Sequence, residues 1–180
     1  VRMAIVSRDG GNQFNGSFFA GYTQGSWLAN NLDDELIGRG LRAPGGIDRI
    51  YDFNLGVGGP IKRDKLWFFT SLRAWSVDAP IANTFFTPEN LSFPAGFQAC
   101  RTGAISCEQG IDDQSIESGL LRLTWQISPK HKVSVYYDEI NKFRGHGMNA
   151  GDDPRTASQI WTSPRYNSAA AKYTGTLNSS

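Results

Sequence analysis

The residues of this 180-residue chain whose types could do chemistry are two cysteines, two histidines and a few grouped carboxylates and glycines. Cys100 and Cys107 have six residues between them. A structural metal site would need further thiols or imidazoles nearby, and the segment offers none, so the pair is either bridged or free. Gly56-Val57-Gly58-Gly59 has the glycine content of a phosphate-cradling loop. Such loops open a helix, whereas Pro60 and a basic turn follow here, so nucleotide binding is not expected. Asp33-Asp34-Glu35 and Asp152-Asp153 could serve glycoside chemistry or Ca²⁺. Glycosidase carboxylates face each other across a cleft and Ca²⁺ loops space their ligands at set intervals, and neither pattern is present. Solvated acidic loops are the plainer reading. His131 and His146 are isolated, and no Ser/His/Asp or Cys/His arrangement is visible. The expectation is a protein without a catalytic centre, a cofactor or a resident metal.

Composition narrows the class. Lys plus Arg number 18 and Asp plus Glu 17, a net charge of +1, which argues against a nucleic-acid-binding domain. Charged residues make up 19%, below the usual ~25%. Aromatics reach 12% and glycines number 20. Such a chain leans towards β-structure rather than disorder. No apolar run approaches the roughly 18 to 20 residues of a membrane-spanning helix. The first residue is Val1, inside an apolar stretch, and the last is Ser180, after a strand-like run, so the chain reads as part of a longer one.

The elements that must position any site have period 2. Tyr51, Phe53, Leu55 and Val57 alternate with Asp52, Asn54, Gly56 and Gly58. Leu121, Leu123, Trp125 and Ile127 alternate with Leu120, Arg122, Thr124 and Gln126, and Val133, Val135 and Tyr137 with Ser134, Tyr136 and Asp138. Residues 66–77 alternate too, and 14–23 and 168–178 do so more weakly. This gives an all-β antiparallel meander of about six strands, each near ten residues. The expected connections run long, short, long, short, long: about 25 residues, a seven-residue basic turn, about 40, a tight turn at Ser128-Pro129-Lys130-His131, and about 20.

That asymmetry matches an outer-membrane β-barrel, with short periplasmic turns and long extracellular loops. A lipid-embedded sheet must close to pair its backbone, turn apolar residues outward and keep polar ones inward. Asp52, Asn54, Arg73, Arg122, Asp138 and Lys142 are then expected to face the lumen, as ligand-path or ion-pairing groups. Gly56 and Gly58 would lie on the same inner face and leave room for a close neighbour. Trp67, Phe68 and Phe69 would mark one aromatic girdle, and Tyr51 and Trp75 the other. The same alternation also describes a soluble secreted β-domain, for instance a carbohydrate binder, with one face on a core.

Two motifs carry a resemblance. Ser7-Arg8-Asp9-Gly10-Gly11-Asn12-Gln13-Phe14-Asn15-Gly16-Ser17 resembles the junction of TonB-dependent receptors where the plug domain meets the first barrel strand. Arg8, Asp9 and Asn15 stand where Lys, Ser and His are commoner. Asn54-Leu55-Gly56-Val57-Gly58-Gly59-Pro60-Ile61, followed by Lys62-Arg63-Asp64-Lys65-Leu66-Trp67-Phe68-Phe69, resembles the hairpin after the first extracellular loop in the Oar-like branch of that family. Members of that branch carry a carboxypeptidase-regulatory-like domain ahead of the plug. Gly11, Asn12, Phe14, Gly16, Gly58, Gly59, Pro60, Lys65, Phe68 and Phe69 are the matching positions, and residues beyond about 77 rest on alternation alone.

The resemblance implies a large plugged transporter of the 22-strand class, in which residues 1–12 end the plug and 13–180 begin the barrel. It implies a bacterial outer-membrane location and contact with outer-membrane lipid and lipopolysaccharide. It also implies energy from the TonB complex, acting through parts outside this chain, and passage of an unidentified ligand. A loop exported through the oxidising periplasm can close a disulfide, so Cys100–Cys107 is the expected pairing. Alkylation of the unreduced protein should leave both cysteines unmodified; modification of both would contradict the pairing.

Overall fold

The computed structural model describes residues 10–29 and 31–176. Six strands form one sheet in the order β1-β2-β3-β4-β5-β6, every neighbour antiparallel and consecutive. They are β1 (Asn15–Gln24), β2 (Arg49–Lys62), β3 (Leu66–Phe85), β4 (Gln109–Ser128), β5 (His131–Gly147) and β6 (Gln159–Gly175). Three short α-helices sit in the connections at one end, α1 (Asp34–Gly38), α2 (Ala95–Thr102) and α3 (Pro154–Ala157), with a 3-10 turn at Gly25–Trp27. The meander is the expected one, and β1 has the expected ten residues, but the other strands are longer. β3 and β4 have 20 residues each, and β5 and β6 have 17. Much of the expected 40-residue loop is therefore strand, leaving residues 86–108 as connection. The last long connection shrinks likewise to 148–158.

Tight turns fix the other end. At residues 63–65, Asp64 takes φ 60 and Lys65 N–H donates to the Lys62 carbonyl at 3.1 Å. A three-residue hairpin loop needs one such left-handed residue, and Asp tolerates it. Pro60 pairs with Trp67 on β3, beyond Asn15–Gly58, the last pair of β1 with β2. A proline is accommodated there because no β1 residue needs its missing N–H.

Paired residues share a face, so the register sorts the side chains. One face carries Phe18, Phe53, Leu55, Leu72, Phe68, Leu121, Leu123, Trp125, Val133, Val135, Tyr137, Ala169, Ala171 and Tyr173. Nothing in the described chain covers it: Phe18 is 70% exposed, Trp125 52% and Tyr173 62%. The opposite face carries Ser17, Asp52, Asn54, Arg73, Ser118, Arg122, Asp138, Lys142 and Lys172. Trp67, Phe69 and Trp75 also fall on this polar face, opposite Pro60, Gly58 and Asp52. Phe68 and Tyr51 point the other way, so of the expected girdle residues only these two lie on the apolar side.

Among the described residues, buried hydrophobic side chains are confined to Phe85, Phe97 and Cys100, all at the long-loop end. There is no second sheet among the described residues to take the apolar face, which is what a soluble sandwich requires. Among the described residues β1 and β6 are each paired on one side only, so the described sheet has two free edges.

If the apolar face meets hydrocarbon, Leu123→Arg should destabilise the inserted protein by about 2–4 kcal/mol, while Arg122→Leu costs much less. Urea titration in lipid vesicles reads the difference; equal effects would contradict the register.

Candidate functional site

Three groups of side chains stand out from the ladder. The first lies on the polar face. Arg73 pairs with Asn54 across β2–β3, and its guanidinium reaches diagonally to Asp52, with Nε to Oδ1 3.0 Å and Nη2 to Oδ2 2.8 Å. Two parallel N–H···O bonds give this pair a fixed geometry. Arg122 stands opposite Phe69 and Tyr136, Asp138 opposite Leu120, and Lys142 opposite Ile116. The Lys142 ammonium lies 5.9 Å from the Trp161 ring centre, and Lys132 lies 6.0 Å from Trp67, both within cation–π range. The six polar residues expected to share a side therefore do so, and Asp52 and Arg73 among them form an ion pair.

The second group is at the turn between β2 and β3. Asn12 donates from Nδ2 to Asp64 Oδ1 at 2.6 Å. Its Oδ1 accepts from Asp64 N–H at 2.9 Å and from the Trp67 indole N–H at 2.7 Å. One amide side chain thus ties the segment before β1 to the turn 52 residues later. Three glycines make room. A Cβ on Gly10 would run into the Phe68 carbonyl, and one on Gly59 into the Phe14 ring, which packs 6.3 Å from Phe68. A Cβ on Gly58 would lie 3.0 Å from Phe69 and 3.6 Å from the Gly10 Cα. Gly10 therefore sits over the polar face at Gly58. Gly11 has open space around it, so its motif position has no steric reason here. Gly16 lies 3.2 Å, by its would-be Cβ, from the Gly56 carbonyl, and Lys65 N–H closes the turn. The motif residues Ser7, Arg8 and Asp9 lie outside the described residues, as do Leu177 and Asn178 of the last expected strand.

The third group gathers the long connections. Asn83, at φ 50, accepts from the Arg42 and Ala43 N–H groups at 2.9 and 3.3 Å and donates to the Gly40 carbonyl at 2.9 Å. Gln109 Nε2 reaches the Pro44 and Ile81 carbonyls. These bonds fasten the first connection to β3. Cys100 and Cys107 are disulfide-bonded, with 5.5 Å between their Cα atoms. Thr87 donates to Asp153 Oδ1 at 3.2 Å, joining the second connection to the third, and Gly151 N–H donates to the buried Thr84 hydroxyl at 2.9 Å, joining the third to the end of β3.

The acidic residues here have structural work. Asp33 caps α1 through Leu36 N–H at 2.8 Å, and Glu35 pairs with Arg39 one turn on. Asp153 is not solvated: it is 4% exposed and accepts from Thr87 and Thr156. Burial of a carboxylate needs such partners. No group of three or more His, Cys, Asp or Glu side chains suited to a metal occurs among the described residues. His146 bonds Asp113 at 2.7 Å, and Arg144 grips Asp112 through Nε and Nη2. The sequence showed none of these long-range pairs, because their partners are 30 to 70 positions apart and carry no local pattern.

Comparison with known proteins adds an independent finding. The family described as "Outer membrane beta barrel domain" matches residues 6–115. A 64-residue stretch is 38% identical to the "TonB-dependent transporter Oar" of Myxococcus xanthus, covering 36% of this chain and 6% of that protein. The chain therefore matches only a small part of that relative's length. No solved structure matches.

Replacing Asn12 with Ala should lower stability by roughly 1 kcal/mol or more, since it strands the indole and the Asp64 N–H. Asn12→Asp should cost more, placing a carboxylate against Asp64. Denaturant titration followed by tryptophan fluorescence measures both; an unchanged midpoint in both variants would contradict the tie.

Proposed function

The chain belongs to the outer membrane beta barrel domain family and lies in the bacterial outer membrane; from that premise we propose that it is the first part of a TonB-dependent transporter's barrel, Oar-like in kind. The observation that carries the reading is the uncovered apolar face backed by a polar one on a single antiparallel meander. Hydrocarbon is the solvent that accepts such a face without a second layer, and barrel closure by further strands would pair the free edges of β1 and β6. The polar face then lines the lumen, with Asp52, Asn54, Arg73, Arg122, Asp138 and Lys142 along its wall.

The arrival of Gly10 over the polar face supports a domain upstream that sits inside the barrel. Residues 1–12 are the end of that plug, and residues from 13 onward are barrel. The Asn12 tie to Asp64 and Trp67 anchors the plug's end to a periplasmic turn. The long connections are extracellular and the turns at 63–65 and 129–130 periplasmic. The protein moves an unidentified ligand across the membrane and performs no chemistry on it. The motive force comes from the TonB complex through parts outside this chain. The relative's name supports that coupling, and the motifs at residues 7–17 and 54–69 support the Oar-like assignment.

Orientation is testable on the full-length protein in intact cells with a membrane-impermeant maleimide. Asp34→Cys should label directly, and Lys130→Cys only after the outer membrane is permeabilised. Labelling of both in intact cells, or the reverse pattern, would overturn the orientation. For the energy step, the full-length protein should co-purify with the periplasmic domain of TonB; failure to do so would count against coupling.

A further inference from the structure

Between the second and third long connections lies a cleft of about 560 Å³, walled by Phe86, Glu108, His146, Pro154, Arg155 and Ile160. Its volume is in the range of small-molecule sites. It combines an apolar side, from Phe86, Pro154 and Ile160, with one carboxylate, Glu108, and one guanidinium, Arg155. We infer that this cleft binds a small zwitterion with an apolar body, of the size of a short peptide. Arg155 takes the ligand's carboxylate, Glu108 its ammonium group, and Phe86 its apolar side chain. The inference rests on the transporter reading and names the ligand class that its outer surface would meet first.

The walls are held in place from behind. Phe86 N–H donates to the Glu108 carbonyl at 2.9 Å, so the two residues face the cleft from adjoining backbones. Cys107 precedes Glu108, and its disulfide partner Cys100 is buried with its Sγ 3.9 Å from the Phe86 carbonyl oxygen. The disulfide therefore braces both the aromatic and the acidic wall. His146 is fixed by Asp113 at 2.7 Å and presents its ring edge-on to Phe86, with centres 5.6 Å apart at 89°. On the opposite wall, buried Asp153 caps the turn that carries Arg155, bonding Thr156 Oγ1 at 2.9 Å, and is itself held by Thr87.

Arg155 has an internal competitor. Its Nη1 lies 3.1 Å from Glu89, whose side chain is 85% exposed. An ion pair between such exposed groups is weak and readily exchanged. A ligand carboxylate can take over the guanidinium and release Glu89 to water. The charge-assisted bonds it gains are stronger when the other end of the same molecule is also held.

The test uses the full-length protein in detergent, with barrel insertion verified in the same preparation by resistance to unfolding in sodium dodecyl sulfate. Isothermal titration calorimetry compares leucyl-phenylalanine with its N-acetyl, C-amide and doubly capped forms. The free dipeptide should bind at least about tenfold more tightly than either singly capped form. Glu108→Gln should abolish the discrimination against N-acetylation, and Arg155→Gln that against the amide. Glu89→Gln should tighten binding of the free dipeptide several-fold, and reduction of the disulfide should weaken it. Equal affinity across the four ligands, or no binding by a correctly inserted barrel, overturns the ligand class and leaves the barrel reading standing. A chain that never inserts overturns the barrel reading itself.

Discussion

Everything in this molecule depends on the solvent that meets its apolar face. Its buried hydrophobic residues, Phe85, Phe97 and Cys100, lie at the long-loop end, while Phe18, Phe53, Leu72, Leu121 and Trp125 stand uncovered along the sheet. In water the hydrophobic effect would drive such a face to aggregate rather than hold it extended. In hydrocarbon the sign of the problem changes. The apolar side chains are at home, and the backbone ladder becomes the feature that must be completed, because no water is present to satisfy an unpaired N–H or C=O. The continuous pairing of β1 through β6 answers that demand along the described strands.

Around that constraint the two ends of the sheet divide the remaining work. At one end, the turns at residues 63–65 and 129–130 are only three and two residues long, and basic side chains surround them. Asn12 uses one of these turns as a fixed post for the incoming chain. At the other end, the strands outrun the apolar band and carry the only true core of the described residues. There the Cys100–Cys107 bond, Thr84, Thr87 and Asp153 make a small folded cap from what would otherwise be three loose connections. Rigid walls at that end are the precondition for selective binding there.

The sequence made some of this legible and hid the rest for physical reasons. β2 and the first half of β3 were readable because Tyr51 to Val57 and Phe68 to Ala74 meet two different solvents, and the alternation records that difference. The long continuations, from Asp78 to Phe85 and from Gln109 to Ser118, were not. Both of their faces carry polar residues there, so period 2 fades, with Pro80, Asn83, Asp112 and Asp113 in place of apolar residues. Trp67 and Trp75 misled for a related reason: an aromatic at a strand end can serve the membrane boundary or the lumen wall, and only the register tells which. The grouping of Asp52 with Arg73 followed from parity alone. The cleft formed by Phe86, Glu108 and Arg155 was invisible, because α2, the disulfide and α3 bring together residues that share no period.

The most direct test of the account is a nitroxide scan along β5, from residue 132 to 140, in the full-length protein reconstituted in lipid. Collision with oxygen, which concentrates in hydrocarbon, should peak at positions 133, 135 and 137. Collision with a polar nickel chelate should peak at 134, 136 and 138. A scan in which the two reagents fail to alternate, or alternate with the opposite phase, would contradict the assignment of the apolar face to lipid.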